Sequence, residues 1–326
     1  MISKTSRHLS VSRINIALFL GVVGVFLISL FLAPYYFAGD QIQYIGAYNA
    51  VYGHNFIDGF LPYRVYLSTE EPIHYTIVWV FSNLGFGKNI VMAAANSVLA
   101  YLLMRVLVKW RVSIYVVLTL VFTNFYVLVL YFAAERLKFG FIFLLLAILF
   151  SNRKRLSIFS AFVAIMAHIQ LIIIYAAQLF SEKMHSIITG KKITKSDISL
   201  YLFSVLAVVT VWTILGDHLI YKFDRYTERD QTNAIFDTWK SFTFLVLTLI
   251  YSKDNKFKIV CAFSVIIAAV IVVGPDRVNM MAYIIFMLYA LQYKRGVNVG
   301  VIITLIYFAL QSVGFVSSII YTGHGF

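Results

Sequence analysis

Cysteine is almost missing from this chain: its 326 residues include one, Cys261, set inside an apolar run. That excludes an internal disulfide and any cysteine-built metal site. Proline is nearly as scarce, at four, and only 14 acids stand against 27 lysines and arginines. Charged residues make up 13% of the chain, well short of the roughly one quarter usual in soluble domains. So few charges cannot cover a water-facing surface, and a soluble globular protein is excluded. Enzyme motifs of the soluble kind are missing too. "GFGKN" is too short for a phosphate loop and lacks the Lys-Ser/Thr ending. No His-x-x-x-His pair occurs, and seven scattered histidines make no site, so neither a metal nor a cofactor is expected.

What remains is apolar: 61% of residues are hydrophobic, with 22 tyrosines and 29 phenylalanines, and mean hydropathy is +0.85. Apolar runs fall at 14–33, 73–86, 90–108, 113–132, 137–151, 156–180, 200–216, 241–252, 259–273, 278–293 and 299–320. Many reach the ~20 residues needed to cross the hydrocarbon core of a bilayer. The chain therefore reads as an all-α, polytopic integral membrane bundle of about 10–11 hydrophobic segments. It forms a single transmembrane domain over 1–326, with larger outer loops at 34–72 and 217–240.

Basic clusters punctuate the runs: Lys4, Arg7 and Arg13; Lys109 and Arg111; Arg153 to Arg155; Lys183 with Lys191, Lys192 and Lys195; Lys253, Lys256 and Lys258; Lys294 and Arg295. Under the positive-inside rule these mark the cytoplasmic side, with the N-terminus and an uncleaved first span. They hold 17 of the 27 basic residues, so the net charge of +13 reports topology and not nucleic-acid binding. Two stretches break simple alternation. Residues 156–180 start and end at cytoplasmic clusters yet are too short for two spans, which predicts two half-helices of roughly 12 residues meeting near His168. Residues 73–86 are expected to form a shallow outer segment, leaving 90–108 as the crossing. Pro72 after "STEE" suits the first turn of a helix.

This topology gathers ionisable residues on the outer side: Asp40, Asp58, Arg64, Glu70, Glu71 and His74 in the first loop; Glu135, Arg136 and Lys138 between two runs; His168 at the broken helix; Lys222, Arg225 and Arg229 in the long loop; Asp276 and Arg277 in "GPDR". Charges at such depth mark a functional cavity unless they pair or snorkel. Arginines suit an anion such as phosphate, because the planar guanidinium binds its oxygens in a bidentate fork. Arg225 and Arg229 have an ordinary alternative in pairing with Asp224, Glu228 or Asp230, and Asp40 and Glu71 have one as helix N-caps.

The order of several segments resembles the EpsG-like branch of the Wzy polysaccharide polymerases, a family of multi-spanning bacterial proteins. These are "GDQIQYIGAYNAVY", "EEPIHYTIVWVFSNLGFG", "FYVLVLYFAAERLKFGFIFLLLA", "IMAHIQLIIIY" and "DRVNMMAYIIFMLY", which fall in this order across 35–290. The resemblance singles out Asp40, Glu71, Arg136, His168 and Arg277. Leu137 follows Arg136 where the family often has glutamine. The resemblance implies a GT-C-like bundle in the bacterial cytoplasmic membrane with its active site facing the periplasm. The implied partners are undecaprenyl-pyrophosphate-linked glycans as donor and acceptor, membrane lipids and a chain-length regulator, without nucleic acid. An acceptor hydroxyl would attack the donor anomeric carbon. Arg136 and Arg277 would hold the pyrophosphate, Arg225 and Arg229 would form a second clamp, and Asp40 or His168 would take the proton. Arg64, Glu71, Glu135, Lys138, Lys222 and Asp276 would line the substrate. The rival functions are an O-antigen ligase and a transporter of lipid-linked sugars; a transporter would need charges along a path between both faces.

Overall fold

The computed structural model describes residues 11–190 and 234–325, and all regular structure among them is helical. The protein is a polytopic helical membrane protein. Helix α1 (Val11–Leu32) would run about 33 Å, and it turns Phe19, Leu20, Leu27 and Phe31 outward. Among the described residues four helices are long and apolar enough to cross a membrane, or five if a bent pair counts as one.

Residues 34–72, expected as a loop, fold into α2 (Asp40–Val51) and α3 (Phe60–Leu67). Pro72 opens α4 (Pro72–Asn83) at its first position, where a missing N–H costs nothing. At 12 residues α4 spans about 18 Å, too short to cross. It packs on α2 and α9, and a turn through Gly85 at φ +76° leads into α5 (Lys88–Lys109), which is long and apolar enough to cross.

The run 113–132, expected to be unbroken, is two helices: α6 (Ile114–Thr123) and α7 (Phe125–Phe132), bent by 50° at Asn124. Asn124 has an extended backbone, accepts from the Val127 N–H at 3.3 Å and donates to the Tyr283 hydroxyl at 2.9 Å. A buried amide that caps a helix and holds a neighbouring phenol stabilises the break.

Next come α8 (Glu135–Leu149), α9 (Lys154–Ala167) and α10 (Ile172–Ile188). His168 is extended and a one-turn 3₁₀ helix follows, so the run 156–180 breaks where expected. The second half-helix is longer than the predicted dozen residues. Gly140 lets α8 approach this break: a Cβ there would lie 2.6 Å from Leu171 Cδ1 and 3.2 Å from His168 Cβ. The remaining helices are a single turn at Ala234–Asp237, α11 (Trp239–Tyr251), α12 (Lys256–Val273), α13 (Pro275–Ala290) and α14 (Val299–Thr322). The run 200–216 lies outside the described residues.

Two ends of the bundle differ in chemistry. At one, Lys109 Nζ donates to the Ile148 and Leu149 carbonyls and to Ser151, while Arg295 Nε donates to the Arg111 carbonyl at 3.3 Å. Helix α10 packs along α12, and Lys258 Nζ lies 2.7 Å from Glu182 at this same end. Helix α10 therefore runs back from His168 toward the basic clusters. The opposite end collects the starts of α2, α4, α5 and α8 together with the break at His168.

Candidate functional site

The short bend at Ala133 and Ala134 stops α7 and restarts the chain as α8, so "ERLK" occupies a helix start. Successive positions on a helix diverge by about 100°, so these charges enter three different surroundings.

Arg136 turns toward α4. Its Nη1 lies 3.2 Å from Glu71 Oε2, and its Nε donates to the Tyr44 hydroxyl at 3.4 Å. The other carboxylate oxygen of Glu71 lies 2.7 Å from His168 Nδ1, and His168 Nε2 is 3.1 Å from Gln170 Oε1. Glu71 and His168 are 2% and 1% exposed, so this ion network is almost fully dehydrated. With Nδ1 donating to the carboxylate, Nε2 either donates to the amide oxygen of Gln170 as an imidazolium or, with the amide turned over, accepts from its nitrogen. Glu71 does occupy the N-cap position of α4, but its side chain makes no capping bond. The Arg136 guanidinium and the His168 ring take it instead, and the bond to Arg136 is charge-assisted, roughly twice as strong as a neutral one.

Glu135 points elsewhere. Lys88 Nζ, at the start of α5, lies 2.5 Å from Glu135 Oε1 and 2.5 Å from Gln41 Oε1, while Gln41 Nε2 donates to the Phe132 carbonyl. An acid in the first turn of α8 also sits well with the helix dipole. Lys138 is fully buried, its Nζ 3.7 Å from Met92 Sδ, which places it behind the site and away from any ligand.

His74 lies beneath these groups on α4, outside the helices long enough to cross. Its Nδ1 is 2.8 Å from the Tyr63 hydroxyl. Burial lowers its pKa to about 3, against the pull of Glu71 in the other direction, so it is neutral.

Beside this network opens a cavity of about 670 Å³, lined by Asp40, Tyr126, Ala134, Asp237, Lys240 and Arg277 among others. Asp40 is the first residue of α2, with Gly39 and not Asp40 at the N-cap, and it is exposed. Arg277, in the first turn of α13, is near enough for its charge to act on both Tyr44 and His168. Arg136 and Arg277 therefore bear on one region from two helices. An anion in the cavity would meet Arg277 and Lys240, with the dehydrated Arg136 close behind. The low local dielectric strengthens each of these attractions.

Of the residues singled out in the sequence, Glu71, Arg136 and His168 form one network, and Asp40 and Arg277 line the adjoining cavity. Arg64 does not join them: it lies on the exposed face of α3, paired with Glu70 at 2.8 Å. Lys222, Arg225 and Arg229 lie outside the described residues, as does the side chain of Asp276. Among the described residues no group of three or more His, Cys, Asp or Glu is placed to hold a metal ion. Sequence reasoning missed Lys88, Gln41, Tyr44 and Lys240. No family model, curated protein or solved structure matches this chain.

Proposed function

We propose that the protein is a polysaccharide polymerase that joins undecaprenyl-pyrophosphate-linked oligosaccharide repeat units on the outer face of a bacterial cytoplasmic membrane. The observation that carries this reading is the pairing of a dehydrated Glu71–Arg136–His168 network with an open cavity holding Asp40 and Arg277. It lies at the end of the bundle opposite the basic clusters, which the positive-inside rule assigns to the cytoplasm.

In this reading Arg277 and Lys240 receive the donor pyrophosphate, and Arg136 stabilises the charge that grows as it leaves. Glu71 and His168 hold the Arg136 guanidinium in place, so little reorganisation is needed when the charge appears. The acceptor hydroxyl oxygen bonds to the donor anomeric carbon, the bond from that carbon to the phosphate oxygen breaks, and undecaprenyl pyrophosphate departs with the electron pair. The hydroxyl proton passes to a carboxylate. Asp40 suits that role better than His168, since Asp40 faces the cavity while both ring nitrogens of His168 are engaged.

The test supplies purified protein in liposomes with the lipid-linked repeat unit alone and resolves the glycans by length. A ladder of longer products supports the polymerase. Transfer that begins only when lipid A core is added makes the protein a ligase, and no transfer with either acceptor refutes the proposal.

A further inference from the structure

A second, shallower groove of about 380 Å³ opens between α2 and the turn that precedes α5, and the chemistry above does not use it. Tyr48, Asn49 and Tyr52 form one wall, Phe86 and Lys88 the other. Three features distinguish it from ordinary surface. Tyr52 and Phe86 stand 63% and 50% exposed on facing sides. Asn49 presents an exposed side-chain amide on the same wall, able both to donate and to accept. At Gly85 and Gly87 an added Cβ would meet nothing within 4 Å, so the space beside the turn is open.

A ligand for such a groove needs flat or C–H-rich faces for two aromatic rings and hydroxyls for the Asn49 amide, which describes a pyranose. An acyl chain would leave the polar groups unmatched. A phosphate headgroup would want a free cation, whereas Lys88 is held by Glu135 and Gln41. The groove also lies in register with the arginine cavity. Asp40 and Tyr48 are eight residues apart on α2, about 12 Å along its axis, and the Gln41–Lys88–Glu135 contacts tie the two places together.

We propose that this groove is a pyranose-binding subsite that holds the sugars distal to the pyrophosphate of the same lipid-linked oligosaccharide. The proposal rests on reading the cavity at Arg277 as the pyrophosphate site.

The test measures binding to the full-length protein in nanodiscs of two lipids: undecaprenyl pyrophosphate without sugar, and the lipid-linked oligosaccharide isolated from the producing cells. The sugar-bearing lipid should bind at least tenfold more tightly. Tyr52→Ala and Phe86→Ala, both at exposed positions, should each lose up to about tenfold of that gain, and Asn49→Ala about three- to tenfold. All three variants should bind the sugar-free lipid as the wild type does. Unchanged binding of the sugar-bearing lipid in the variants would overturn the proposal, leaving the rings as a membrane-interface belt. Equal losses for both lipids would also overturn it, in favour of a lipid-headgroup site. If the wild type binds neither lipid, the pyrophosphate reading fails by itself. The delipidated oligosaccharide then decides: binding that Tyr52→Ala weakens sustains the subsite, and no binding ends it.

Discussion

Glu71 meets the Arg136 guanidinium and the His168 ring with one carboxylate, and that economy makes it the most sensitive residue of the network. Replacing it with glutamine leaves Arg136 dehydrated without a counter-ion, which should cost about 3 kcal/mol. Glu71→Gln should therefore melt well below the wild type in detergent. Arg64→Ala should melt within error of it, because the Arg64–Glu70 pair is exposed and such pairs contribute at most about 1 kcal/mol. His74 gives a pH signature. Its folded pKa is about 3, against about 6.5 for an unfolded histidine. As pH falls through about 6.5 the unfolded chain binds a proton that the folded chain refuses, and stability declines until pH approaches 3. A melting series from pH 7.5 to 4.5 should show this decline, and His74→Gln should flatten part of it. Asp40, Glu71, Arg136 and Arg277 were legible as charges outside or at the edges of apolar runs, and His168 as a polar residue at the middle of a run too short to cross twice. Lys88 was not, because its acid lies 47 residues away and nothing local marks a pair that only folding creates.

Breaks matter more than spans at the level of helices. The discontinuity at His168 could be read from the sequence because two basic clusters bracket a run too short to cross twice. The one at Asn124 escaped, since a single amide hardly lowers the hydropathy of its neighbours and its partner, Tyr283, is remote in sequence. The close approach of α8 to the His168 break depends on Gly140, where a methyl group would press on Leu171 and His168. Gly140→Ala should shift His168 relative to Glu71 and lower the polymerisation rate at least tenfold, with the protein still folded by circular dichroism. An unchanged rate would show that the position of His168 does not matter to the chemistry. Asn124→Ala should lower the melting temperature by an amount that corresponds to about 1–2 kcal/mol, through loss of a helix cap and a buried hydrogen bond.

The whole molecule separates its charges by end, and the account requires that the Glu135 end face outward. In a Cys261→Ser background, a cysteine at Asp58 should react with an impermeant maleimide added to intact spheroplasts. One at Arg111 should react only after lysis, and the reverse pattern would invert the topology. The helical class and most of the runs were legible from composition and run length. The gathering of five chain segments around one cavity was not, because it depends on how helices pack and not on how apolar they are. The central claim is that this cavity, with Arg136 behind it, binds a lipid pyrophosphate. Its most direct test is the dissociation constant of undecaprenyl pyrophosphate in nanodiscs for the wild type, Arg136→Ala and Arg277→Ala. Each variant should bind at least tenfold more weakly, and the wild type should bind the monophosphate more weakly than the pyrophosphate. Wild-type affinity in both folded variants would contradict the claim.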